Sequence, residues 1–176
     1  MANVAVATFA LSAIAGVPLI IKSGMSILWL GLAGFLSGLF YTAPPFKFSS
    51  RPGMGELLIG LNFGPLMVAG SALVQTGLLL PEAFLAGIPI GLLIAAVVYM
   101  NEFPDHDSDK QTGKNTLIVV FGPEKARFGY VALVASAFIS IVVMALNGIF
   151  PKLTLITLIS AYFGITATTT LYKHYN

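Results

Sequence analysis

The sequence predicts an all-α protein, a multispan transmembrane bundle of about six helices, and three observations carry that prediction. Of its 176 residues, 57% are hydrophobic and only 9% charged, whereas ordinary globular chains carry about 25% charged residues to coat a wet surface. Mean hydropathy is +0.90. The apolar residues also cluster into segments close to the ~20 residues that a bilayer-crossing helix requires. The whole chain, 1–176, reads as one such domain.

The segments follow in order. The first, 4–21, has no preceding cation and is followed at once by another apolar stretch, so it reads as a span and not as a cleaved leader. The second, 26–42, carries Gly31, Gly34 and Gly38, small residues that let helices approach closely. The third, 57–74, begins just after the acid of Gly55-Glu56 and contains Asn62. Spans at 83–100, 128–147 and 153–172 complete the set. Between them lie Lys22-Ser23-Gly24, a stretch at 43–55 with three prolines, the polar segment 75–82, the long polar block 101–127, and 147–152.

Alternating these connections between two sides places both termini, 43–55 and 101–127 together. That side holds Lys47, Arg51, Lys110, Lys114, Lys125, Arg127 and Lys173, against Lys22 and Lys152 on the other. Cations accumulate on cytoplasmic loops, so the two long loops are expected to face the cytoplasm from a cell (inner) membrane. The nine cations form no stripe, which argues against a nucleic-acid partner. With no cysteine, a disulfide scaffold, a thiolate metal site and a cysteine nucleophile are excluded. Any metal must be held by oxygen or imidazole, and with two histidines oxygen is favoured.

The densest polar signal runs from Asn101 through Asp105, Asp107 and Asp109 to Gly113, Lys114 and Thr116. On a helix, Asn101, Asp105 and Asp109 stack on one face while Asp107 turns away. Pro104 is expected to open a new helical turn as its first residue. Two carboxylates one turn apart suit Mg²⁺, which takes few protein ligands and keeps the rest of its sphere for phosphate and water. Lys114 would then add a cation to the phosphate oxygens. Two plainer readings stand beside this one. The block can be a solvated acidic loop, and Asp105-x-Asp107-x-Asp109 echoes a calcium loop, although Lys110 and Thr116 replace the glycine and glutamate that such a loop needs. His106 and His174 read as solvated residues.

A second signal, Tyr41-Thr-Ala-Pro44-Pro45-Phe46-Lys47 with Arg51 beyond, leaves the second span on the same side. Paired prolines predict a stiff extended exit that fixes where Lys47 and Arg51 point, toward an anion lying between them and the acidic loop. The alternative is an ordinary positively charged flank with an interfacial tyrosine. Asn62, a polar group at membrane depth, is either a functional residue or a hydrogen bond between helices.

The pattern Asn101-xxx-Asp105-xxx-Asp109-xxx-Gly113-Lys114-x-Thr116-Leu117 resembles the second aspartate-rich motif of the UbiA superfamily of intramembrane prenyltransferases. Tyr41 to Lys47 is similar to that family's tyrosine and basic segment, and Gly55-Glu56 with the run Gly64 to Gly77 is most similar to its MenA type. The resemblance covers nearly the whole chain. It implies Mg²⁺-dependent transfer of a polyprenyl group from a polyprenyl diphosphate to an aromatic acceptor, 1,4-dihydroxy-2-naphthoate in menaquinone biosynthesis. Asp105, Asp109 and Asn101 are then the metal ligands, with Lys47 and Lys114 as diphosphate clamps. Tyr41, Arg51, Asn62 and Asn101 complete the substrate-binding set, and membrane lipid surrounds the bundle.

One departure accompanies the match. The family carries a first aspartate-rich motif between spans two and three of about nine, and here no acid precedes Glu56. The six spans are therefore expected to correspond to the family's spans three to eight, leaving the isolated chain inactive or nearly so. A non-catalytic membrane protein, acting as a partner subunit or small-solute transporter, is the alternative.

Overall fold

The computed structural model describes residues 2–175. Helices α1 (Ala2–Ser23), α2 (Met25–Thr42), α3 (Met54–Leu61), α4 (Met67–Thr76), α5 (Pro81–Asn101), α6 (His106–Gln111), α7 (Leu117–Phe121), α8 (Pro123–Leu146) and α9 (Ala161–His174) follow one another along the chain. A π-helical turn, Asn62–Leu66, welds α3 to α4, and a 3₁₀ stretch, Lys152–Ser160, leads into α9. Among the described residues six helical segments are long and apolar enough to cross a membrane, and the protein is an integral membrane protein.

Each boundary has a local cause. Gly53, in the left-handed region at φ 73°, starts α3 three residues before the apolar run that the sequence marks, so Glu56 sits in the first helical turn. Pro81 and Pro123 open α5 and α8, where a missing backbone N–H costs nothing. Pro65 lies within the π turn and cannot donate to the helical ladder, which is where a one-residue widening is expected.

The packing centre is α5. It lies against α3, the π turn, α4 and α8. Backbones come together where Gly60 and Gly64 face Gly87 and Gly91: a Cβ on Gly64 would stand 2.6 Å from Gly91 Cα, and one on Gly60 3.1 Å from the Gly91 carbonyl oxygen. Small residues make such close approach of membrane helices possible. Toward the end that carries the polar loops, Tyr99, Phe103, Ile118, Ala126, Tyr130 and Leu171 form a buried cluster. In contrast α2 buries no residue.

Two expectations about the loops are corrected. The paired prolines do not run out extended. Residues 43–46 make a turn, closed by Lys47 N–H donating to the Ala43 carbonyl at 3.1 Å, because Phe46 folds back to pack edge-on against Phe40 and flat on Phe48. Asn101, Asp105 and Asp109 also do not share one continuous helix. α5 ends at Asn101, and the chain turns through residues 102–105 with bonds from Glu102 N–H to Tyr99 and from Phe103 N–H to Met100 before α6 begins at His106. Pro104 falls inside that turn instead of opening the helix.

Candidate functional site

The acidic loop is held at both ends, by a buried ring at one and a helix cap at the other. Phe103, 2% exposed, packs against Tyr99 and Tyr175, while Thr116 caps α7 by accepting from Val119 N–H. Between these anchors Asp109 N–H donates to the Asp105 carbonyl at 2.8 Å, so the two aspartates stand on consecutive turns as the spacing requires. Gly113, at φ 76°, lets the chain double back, and Lys114 N–H then bonds the Asp109 carbonyl at 3.0 Å. The Lys114 ammonium donates to Asp109 Oδ1 at 2.7 Å. Asp109 is buried, Asp105 and Asn101 are exposed, and Asp107 points outward with its carboxylate against His106.

The 43–55 loop meets the acidic loop directly. Asn115 N–H donates to the Ser50 carbonyl at 3.1 Å, and a Cβ on Gly53 would touch Leu117. Tyr41 lies over Gly55, its ring 3.7 Å from where a Cβ would be, and is within electrostatic reach of Glu56, Glu102 and Lys114. Lys47 and Arg51 stand on this loop with exposed side chains. Asn62 is not drawn into the cluster. Its amide donates to Leu58 at 2.7 Å and its oxygen accepts from Ser37 at 2.9 Å, which bolts the third span to α2.

Two acids outside the predicted set complete the cluster. Glu56 is 5% exposed and its Oε1 has no hydrogen-bond partner; Glu102 Oε2 is likewise buried and unpartnered. Burial, and then the charges of Glu56, Asp109 and Asp105, push the Glu102 carboxyl up to about 8, with Lys114 opposing. The hydrogen bond to Asp109 raises Lys114 above the usual lysine value, desolvation pulling the other way. An acid at the start of a span was signal enough to single out Glu56. Glu102 offered none, since the charge that acts on it most, Glu56, comes from another span.

Among the described residues, no three His, Asp or Glu side chains converge as a ready-made metal cage. Mg²⁺ does not need one. It binds through one or two carboxylates plus phosphate, and Asp105 and Asp109 on adjacent turns fit that demand. Asp105 and Asp109 both act on Lys114, and two aspartates against that one ammonium leave a surplus of negative charge that a metal ion would offset.

Comparisons with known proteins bear on the family of the chain. The family model described as the UbiA prenyltransferase family matches residues 2–176. A 1,4-dihydroxy-2-naphthoate octaprenyltransferase of Bacillus subtilis is 30% identical over 83% of this chain and 47% of its own length. The Escherichia coli protein of that name is 33% identical over 72% of this chain and 40% of its own. A UbiA prenyltransferase domain-containing protein 1 of Dictyostelium discoideum is 33% identical over 69% and 37%. The chain thus spans less than half the length of these relatives, and no solved structure matches it significantly. With six apolar spans and a family match that runs from end to end of the described residues, the chain belongs to the UbiA prenyltransferase family.

Proposed function

We propose that the chain carries the diphosphate-binding wall of a Mg²⁺-dependent site that moves a polyprenyl group from its diphosphate to an aromatic acceptor. The observation that carries the reading is Asp105 and Asp109 on consecutive turns, with Lys114 beside them, in a cluster holding more acids than cations. Two relatives named for 1,4-dihydroxy-2-naphthoate support that compound as the acceptor, with menaquinone biosynthesis as the setting.

Asp105 and Asp109 would hold the metal, with Asn101 at the end of α5 as the neutral ligand. When bound, Mg²⁺ supplies positive charge that stabilises the departing diphosphate. Lys114 has three donors, so it can keep Asp109 and still reach a phosphate oxygen. Lys47 and Arg51 approach from the opposite loop, and Tyr41 lines the gap between the two. The apolar spans keep water from the allylic carbon once its bond to oxygen weakens. These loops face the cytoplasm in this reading, as the cation bias requires.

Calorimetric titration with farnesyl thiodiphosphate and Mg²⁺ tests it. Asp105→Asn and Asp109→Asn should each abolish metal-dependent binding, and Asp107→Asn, directed outward, should retain it. Equal losses at all three positions would replace the ordered ligand pair with a diffuse acidic loop.

A further inference from the structure

Beneath the acidic loop lies a cavity of about 460 Å³ between α3, α5 and α8, within the range typical of small-molecule sites. Its walls are carbon almost throughout. Leu57, Leu92 and Leu133 supply side chains, and Gly60, Gly91 and Gly129 supply bare backbone. At Gly60 and Gly91 the wall is closed backbone to backbone, and the apolar slot runs beside that contact. A Cβ on Gly129 would run into the Tyr99 hydroxyl, so the glycine lets α8 pack directly on Tyr99.

Polar groups along the slot are few. The Tyr99 hydroxyl is committed, donating to the Ala126 carbonyl at 2.8 Å. Ser136 lies seven residues beyond Gly129 on α8, about 10 Å deeper at 1.5 Å per residue. Glu56 stands at the loop end, nine-tenths buried, with Oε1 unpartnered. A buried carboxylate oxygen left without a donor is costly, and apolar packing of the same shape would serve a merely structural position better. A hydroxyl donor entering the slot would satisfy that oxygen. A metal ion is the weaker candidate, because the rest of the lining offers it no second carboxylate and no side-chain amide. A lysine or arginine is absent from the lining.

We infer that Glu56 is an acceptor-binding residue: its free oxygen takes the hydroxyl hydrogen of a hydroxyaromatic molecule whose ring lies in the apolar slot. This rests on the prenyl-transfer reading for its chemistry. A hydrogen bond to a carboxylate is charge-assisted and stronger than one between neutral groups, and it pushes electron density into the ring, the partner that attacks the allylic carbon. The placement is also apt. Glu102 feels Glu56 as well as Asp109 and Asp105, so the hydroxyl end of the ring would lie next to the diphosphate end of the donor.

The test uses the full chain in lipid nanodiscs, with 2-naphthol and 2-methoxynaphthalene as probes and empty nanodiscs subtracted. Wild type should bind the naphthol about tenfold more tightly, the size expected for a hydrogen bond to a charged group. Glu56→Leu should erase the preference, Glu56→Gln should keep a reduced one, and both should bind farnesyl thiodiphosphate with Mg²⁺ as wild type does. Equal binding of the two probes by wild type, or an undiminished preference in Glu56→Leu, overturns the assignment. Loss of diphosphate binding in wild type with the naphthol preference intact would instead sink the prenyl-transfer reading and leave Glu56 as a hydroxyaromatic site.

Discussion

The Lys114 ammonium sits 2.7 Å from Asp109 Oδ1, and the two partners are unequally exposed: the lysine side chain is 44% accessible and the aspartate 8%. The pair is therefore not symmetrical in its energetics. Removing the lysine strands a buried carboxylate among other acids, whereas removing the aspartate frees a cation that water can reach. Lys114→Met should destabilise the protein by about 1–2 kcal/mol, and Asp109→Asn by about 0–1 kcal/mol. Thermal unfolding in detergent at neutral pH compares them, and a larger loss for Asp109→Asn would contradict the asymmetry.

Glu102 makes stability depend on pH with a definite sign. Its carboxyl titrates near 8 in the folded protein against an ordinary value of 4.5, so between those values the folded state holds a proton that the unfolded chain has released. Stability from this group is complete below about pH 4.5 and falls as pH rises toward 8. Glu102→Gln keeps the neutral form at every pH. Its melting temperature should lose the part of the wild-type decline that lies between pH 5 and 8, and an identical pH profile in the two proteins would exclude Glu102 as the source.

Close backbone approach should make glycine substitutions strongly position-dependent. Gly91→Ala would drive a methyl group into the Gly60 carbonyl, and Gly64→Ala would place one 2.5 Å from the Gly87 carbonyl oxygen. Each should cost about 1–3 kcal/mol as overpacking. Gly31→Ala meets nothing within 4 Å and should be neutral or slightly stabilising, through helix propensity. Equal effects at the three positions would mean that α3 and α5 can part without penalty.

The contact from Asn115 to the Ser50 carbonyl puts both polar loops at one end of the bundle. Because the chain has no cysteine, single cysteines at Ser50 and Ser108 give a clean background. Both should react with a membrane-impermeant maleimide from the cytoplasmic face alone. Labelling from opposite faces would separate the loops and dismantle the shared site.

The spans were legible because crossing a bilayer demands length and apolarity, which are properties of a segment alone. The aspartate spacing was legible for a similar reason: one helical turn fixes Asp105 above Asp109, wherever the helix lies. Lys47 was misjudged in its surroundings, since proline stiffness argued for extension while the stacking of Phe46 between Phe40 and Phe48 decided for a turn. Asn62 could be assigned between its two readings only when Ser37, 25 residues earlier, was seen to bond it. Glu56 and Glu102 acquire their meaning from each other across the bundle, and separation in sequence hides such a pair.

The distribution of packing also bears on how the protein is made. α1 and α2 leave the ribosome before α3, α5 and α8, yet α2 buries nothing and the α1 span likewise offers no buried residue to a neighbour. The tight contacts belong to α3, α5 and α8, which are synthesised later. Early spans must therefore rest in lipid as independently inserted helices, their backbone hydrogen bonds satisfied within themselves, until the glycine-faced pair arrives. Biogenesis of this chain is an insertion problem first and an assembly problem second, and mutations at Gly60, Gly64, Gly87 or Gly91 should arrest it after the membrane has already accepted every helix.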